Sequence, residues 1–576
     1  MTRKDSAFVL VLVVLLAAIG VGVGAPAFGP TATRPTDTPL SVAEMRPYRE
    51  GVLGGPVSVS PLTARTQADR DLVALVFSGL VRNGPNGTLV PDLAARWSIS
   101  EDGREWTVEL RPGARWHDGE PVTAEDVAYT IRTLQDLDYQ GPRSTSWVGV
   151  TVRAAGVHTV SFTLDTPVGG FLQALTQPIA PAHLLGEVPA AILPDHPFGQ
   201  QPVGSGPFAL VSLDQERAVL QPPVPVVLPD ASSTDPSAPE TDSLRTSRPT
   251  ARPDLPRPYL DGIEFHYYGT AEALTEDYLA GSLDGVSGVE PALAAELAHE
   301  PGSYLLRYPG STLTAVILNL RGDRPEFGTP AIRTALLQAI DRDALVEAAF
   351  AGAAVKVDSP IPPTSPLFDP TVDAAVEHDT EKAAAALSAA TWVKNKGRWR
   401  LPGASEALEL ELLSPDRASN PAAYAAAESI TADWLTFGIG AKHVPLPPAE
   451  FASKRLAAGE FRAAVVDLAI GLDPDLYPLL ASTQTLTGGS NVMGIQDATL
   501  DELLTAARRP GTDEQRRSAY AALQAHLAQG RYLLPLAFQD ETVVVRETVS
   551  GPVIRQVSDP SDRFWDVLTW RLADDR

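Results

Sequence analysis

Trp116-His117-Asp118-Gly119 sets an imidazole beside a carboxylate, the pairing that a metal site or a general base would use. The nine histidines are scattered, with no His-x-x-x-His pair and no neighbouring ligand cluster. The segment is therefore read as a turn with a packed Trp116. Gly204-Ser205-Gly206-Pro207-Phe208 brings a serine between glycines. A nucleophile elbow needs Gly-x-Ser-x-Gly between a strand and a helix, and this spacing departs from it. A tight turn is expected instead. Arg333, Asp341 and Arg342 fall on helical positions and read as a surface ion pair or a cap. Asn86-Gly87-Thr88 is a formal glycosylation sequon. No nucleophile–base set emerges, so no enzymatic activity is expected. No metal or cofactor is expected either.

Composition narrows the classes further. The chain has 576 residues, no cysteine, 52 prolines and a formal charge of −25. Without cysteine there is no disulfide scaffold, no thiolate-ligated zinc or iron–sulfur cluster, no thiol catalysis and no lipid anchor on an N-terminal cysteine. A pI near 4.8 argues against nucleic acid as a partner, because phosphate recognition needs clustered Lys and Arg. The length exceeds what one hydrophobic core serves, so two large lobes or about three domains are expected.

The elements that must position any site are legible in part. Arg3 and Lys4 precede an uncharged apolar run, Ala7 to Ala25. This run reads as a signal peptide or a membrane anchor within residues 1–27. Cleavage after Ala27 and retention as an anchor both fit, and either way the bulk of the chain faces outward. Residues 28–46 form a Pro/Thr-rich tether. Asp71–Phe77 reads as a buried helix. Asp102-Gly103 marks a hairpin leading into the alternating strand Trp106–Leu110. Thr123 with Asp126 caps a helix, and Thr159–Leu164 is another alternating strand. From Gln221 to Pro258 there are ten prolines and no aromatic residue, which predicts a disordered insertion within a lobe. It interrupts a strand pair, Ala218–Leu220 and Ile263–Tyr267. Farther on, Thr329-Pro330, Asp341, Asn420-Pro421, Thr499 and Thr512 read as helix starts. Leu408–Leu412 and Ala463–Val466 read as strands, so the fold class is α/β.

Several segments together carry a resemblance. They are LVALVFSGLVRNGPNGTLVPDLAARWSISEDGREWTVELRPGARWHDGEPVTAEDVAYTI (Leu72–Ile131), PVGSGPFAL (Pro202–Leu210) and RPYLDGIEF (Arg257–Phe265). AIRTALLQAIDRDALVEAAFAG (Ala331–Gly352), SPIPPTSP (Ser359–Pro366), the DPD at Asp473, Asn491 and the helix TDEQRRSAYAALQAHL follow. In this order and spacing the chain resembles the family 5 extracytoplasmic solute-binding proteins of ABC importers, the peptide/oligopeptide/nickel-binding type.

The resemblance implies a two-lobed periplasmic-binding-protein-like fold of the large cluster C type. Lobe I is expected over residues 47–309 and lobe II over 310–535. Residues 536–576 return to lobe I, and two crossing strands form a hinge. It implies a monomer that captures a peptide or similar solute in the interlobe cleft and delivers it to ABC permease subunits. A membrane-tethered sensor or interaction protein reusing the same lobes is the alternative. Peptide-binding relatives hold the ligand's α-ammonium with an Asp. At the matching position this chain has Ile470, which leaves Asp473 or Asp467 as substitutes. Asn491, after Gly488-Gly489-Ser490, is expected to face the cleft, and Trp147 and Tyr477 to form apolar walls.

Overall fold

A computed structural model describes residues 46–84, 88–142, 145–223, 258–322, 324–371, 375–485 and 489–573. The expected anchor at 1–27, nearly all of the tether, the core of the sequon and most of the insertion lie outside the described residues. No helix among the described residues is long and apolar enough to cross a membrane.

The protein is built on one mixed sheet, eleven-stranded among the described residues. At one end lie Ala209–Leu213, Arg217–Gln221, Ile263–Tyr268, Tyr48–Leu53 and Gly285–Ser287. At the other lie Ala463–Ala469, Glu409–Pro415 and Gly440–Leu446. Two long antiparallel strands, Ser303–Leu318 and Leu533–Arg546, join the ends. A separate four-stranded antiparallel sheet, Ala94–Ile99, Glu105–Leu110, Thr159–Leu164 and Val150–Gly156, belongs to the first half.

The hydrophobic cores divide the molecule into two lobes. One core gathers residues from Tyr48 to Tyr308 and from Val543 to Trp570, and a smaller one packs beneath Val286 and Val544. Two others cover opposite faces of the second half-sheet, with Val316 and Leu536 in one and Leu313 and Phe538 in the other. Side chains alternate across a strand, so neighbouring residues of one strand feed opposite faces. The cores change hands between Tyr308 and Leu313 on one crossing strand. On the other they change between Phe538 and Val543.

Local signals account for most helix starts. Thr123 and Asp126 form a reciprocal capping box before Ala124–Gln135, and Thr512 and Gln515 another before Asp513–Gly530. Thr329 and Asn420 cap helices whose first residue is proline. Thr499 does not cap: Asp497 does, accepting from the Leu500 N–H, and the helix runs Ala498–Arg508. An aspartate two residues earlier takes the position ahead of the threonine. The buried helix expected from Asp71 begins a turn earlier, as Gln67–Val76 behind Thr66. Gly103, at φ 71°, turns the hairpin between Ala94–Ile99 and Glu105–Leu110. Arg217–Gln221 pairs antiparallel with Ile263–Tyr268 across the proline-rich segment.

Candidate functional site

The two crossing strands lose register between Pro309 and Leu313. Below that point Ser303–Pro309 pairs with Asp540–Arg546, and above it Leu313–Ile317 pairs with Leu533–Phe538. At Gly310 a β-carbon would stand 2.3 Å from the Gln539 carbonyl oxygen, so only glycine lets the strands approach there. A cavity of about 220 Å³ opens at this break. Ser311, Thr312, Ala469, Gln539 and Glu541 line it from the crossing strands and lobe II. Ala64, Arg70 and Pro142 line it from lobe I, and Ser558 and Asp559 from the C-terminal tail. Ala64, Arg70, Pro142 and Asp559 also border a second cavity, of about 430 Å³, inside lobe I. Its walls include Phe77, Leu134, Phe564 and Trp565, with Asn83 and Gln177 as polar points and Arg70, Arg82, Asp92, Asp559 and Asp562 as charged ones. An apolar enclosure with a few polar groups, at a junction between lobes, is the usual form of a small-molecule site.

The polar wall comes from residues two apart. Gln539 and Glu541 share one face of their strand, while Asp540, on the other face, pairs with Arg307 at 2.6 Å. Gln539 donates to Thr314 Oγ1 at 2.8 Å and Asp467 Oδ1 at 2.9 Å. Burial and the nearby Asp559 carboxylate push the Glu541 carboxyl up to about 7. Across the cavity Arg70 Nε lies 2.9 Å from Asp559 Oδ2. Behind this wall Arg563, fully buried, donates to Glu50 at 2.7 Å and Asp71 at 2.6 Å. That cluster fixes the C-terminal tail against lobe I.

A larger cavity, about 600 Å³, lies wholly in lobe II beside Arg321, Arg333 and Tyr532. Arg333 donates to the carbonyls of Phe327, Gly530 and Arg531, and Arg321 to those of Asn491 and Val492. Those guanidiniums hold backbone. Arg333 and Arg342 are buried, where a surface ion pair was expected. Arg342 pairs with Asp358 at 2.8 Å and donates to the Val357 and Val376 carbonyls. Asp341 does cap, accepting from Ala344 N–H.

The residues singled out from sequence do not gather at the interlobe cavity. Asp473 is engaged by Arg516, whose Nη2 donates to both carboxylate oxygens, at 2.7 and 2.8 Å. It also abuts lobe I at Gly170. Tyr477 is half-buried under the Arg508 guanidinium, 4.6 Å from its ring centre, with its hydroxyl 3.1 Å from Thr483 Oγ1. Asn491 does not face a cleft. It is buried, its amide donates to the carbonyls of Leu480, Ala481 and Ile495, and its oxygen accepts from Gly494 and Ile495. Five backbone bonds leave that side chain nothing for a ligand. Trp147 is not a cleft wall. It is buried in lobe I with Phe162 and Phe171 at 6.1 and 5.8 Å. Asp467 is buried between Thr314, Asn420 and Gln539, and burial raises its pKa. Ile470 belongs to a core of lobe II.

His117 and Asp118 occupy a turn closed by Gly119, with Trp116 buried and His183 2.9 Å from Asp118. Among the described residues no cluster of His, Asp and Glu fits a metal ion. The Glu541 wall escaped sequence reasoning, although a signal existed: Gln539-Asp540-Glu541-Thr542 is a polar run inside a long apolar strand.

Two lobes, each with its own core, joined by a pair of strands and enclosing a cavity where those strands lose register: this is the architecture of a periplasmic binding protein. The solved structure of the oligopeptide-binding protein AppA from Bacillus subtilis, in complex with a nonapeptide, has the same fold. Its TM-score is 0.69 at 21% identity, covering 92% of this chain and 100% of that one. The model of the bacterial extracellular solute-binding proteins, family 5, matches residues 88–491, and the chain belongs to that family. Relatives include a di/tripeptide-binding protein 1 from Pseudomonas aeruginosa, 25% identical over 523 residues, 86% of this chain and 89% of the relative. Protein XP55 from Streptomyces lividans is 29% identical over 487 residues, 83% and 80% of the two chains. The protein is thus an extracytoplasmic solute-binding protein.

Proposed function

We propose that the protein captures a peptide or similar solute between its lobes and delivers it to the permease subunits of an ABC importer, without covalent chemistry. The observation that carries this reading is the cavity at the register break, walled from both lobes and continuous in its lining with a larger apolar cavity in lobe I. Peptide side chains would enter the apolar part, and the peptide ends would meet the polar wall. Names of relatives support the peptide class: a di/tripeptide-binding protein and a protein holding a nonapeptide.

In this reading the hinge lies at Gly310–Thr312 and the facing Gln539, where pairing is already interrupted. Lobe I comprises residues 47–309 with the returning 536–576, and lobe II residues 310–535. A single chain is the working unit, because both walls of the cavity come from it. The N-terminal apolar segment directs export and either anchors the protein or is removed.

Native mass spectrometry of the protein purified gently from its own cells tests the reading. Complexes heavier than the chain by the mass of short peptides, released and sequenced on activation, are expected. Recovery of bound non-peptidic solutes alone would overturn the peptide class.

A further inference from the structure

The cavity at the register break has an unbalanced wall. Asp559 has Arg70, and Glu50 and Asp71 share Arg563. Arg70 is further occupied by the Arg65 carbonyl and Gln67 Oε1. The Glu541 carboxylate has no ion-pair or hydrogen-bond partner among the described residues, although Glu541 lines the cavity and is only partly exposed.

A second observation is independent of the carboxylates. The Ser311 hydroxyl is buried without a hydrogen-bond partner, in a residue only 2% exposed, and Ser311 lines the same cavity. The Ser558 hydroxyl, from the tail, is likewise buried and unpartnered in the cavity lining. Leaving a buried hydroxyl unpaired costs free energy unless another molecule satisfies it. A carboxylate and two hydroxyls offer acceptors to a group with several N–H donors and a positive charge, which describes a primary ammonium.

We infer that Glu541, with the Ser311 and Ser558 hydroxyls, receives a primary ammonium group of the ligand at the register break. This rests on the capture reading and names the end of the ligand that the cavity holds. It also gives this chain a cation anchor where Ile470 supplies none.

Binding is then linked to a proton. Burial holds the Glu541 carboxyl at about 7, beside Arg70 and Asp71 on the helix Gln67–Val76 and Asp559 and Arg563 on the tail. An incoming ammonium displaces the proton, so affinity falls as pH drops below about 7, by up to about tenfold per pH unit.

The test uses a random tripeptide library in two forms, one with free N-termini and one N-acetylated, with lysine omitted from both. Retention on the full chain is read by mass spectrometry at pH 6 and pH 8. The wild type should retain free-amine peptides at least about tenfold more than acetylated ones, more strongly at pH 8. Glu541→Gln should lose both the preference and the pH dependence while melting cooperatively, and Glu541→Asp should keep the preference in part. Equal retention of the two libraries by the wild type, or an unchanged preference in a folded Glu541→Gln, overturns the inference and leaves capture standing. Retention of neither library by the wild type overturns the peptide reading and this inference with it.

Discussion

The backbone of Gly170, in lobe I, lies on the carboxylate of Asp473, in lobe II: a β-carbon at residue 170 would stand 2.9 Å from Asp473 Cγ. Arg516 pins that carboxylate from its own lobe. Next to it the Gly169 N–H donates to the Arg508 carbonyl at 2.6 Å. Glycine backbone of lobe I therefore meets Asp473 and Arg508 of lobe II, none of which lines the cavity. Gly170→Val should keep each lobe folded and prevent this approach, because Arg516 holds the carboxylate in place. Melting temperature should change little, while peptide affinity falls by about tenfold or more; an unchanged affinity would show that the seam plays no part in capture.

Asp473→Asn removes an ion pair internal to lobe II. Both partners are about one-fifth exposed, so the loss should be modest, about 1–2 kcal/mol in urea unfolding. Peptide affinity should shift by less than about threefold. A collapse of affinity with preserved stability would restore Asp473 as a ligand contact.

Arg563 balances Glu50 and Asp71 in a buried cluster. Arg563→Met leaves two carboxylates facing each other without a cation and should cost about 3–5 kcal/mol. The C-terminal tail should become sensitive to limited proteolysis before the lobes unfold. Adding Glu50→Gln and Asp71→Asn to the same variant should recover part of the loss.

Glu541 also marks the stability of the unliganded protein. Its folded pKa of about 7 lies above the ordinary 4.5. Between those values the folded chain keeps a proton that the unfolded chain has released, so stability falls as pH rises through that window. The accumulated cost is about 3 kcal/mol above pH 7. Glu541→Gln should therefore be more stable than wild type at pH 8, and close to it at pH 4.5, in thermal melts without peptide.

Much of the scaffold is written locally in the chain. Thr123 with Asp126, Thr512 with Gln515 and Asp102-Gly103 each act over a few residues, and the structure uses them as helix caps and a hairpin. Thr499 misled because Asp497 competes for the same helix end. The crossing strand Ser303–Leu318 was hidden by Pro309 and Gly310, which usually interrupt strands and here mark the register break. Site residues were less legible, because residue type does not say which way a side chain faces. Trp147 and Asn491 face inward and are consumed by packing and backbone carbonyls. The cavity wall joins distant parts of the sequence; beside it, Asp71 and Arg563 touch across 492 positions. Such a pairing leaves no local pattern.

The central claim is capture of a peptide between two lobes that move about the crossing strands. Small-angle X-ray scattering, with and without a free-amine tripeptide mixture, measures it most directly. The account predicts a smaller radius of gyration on addition of peptide in the wild type and none in Gly170→Val. A radius that stays constant in the wild type, with bound peptide verified in the same sample, would contradict lobe closure as the means of capture.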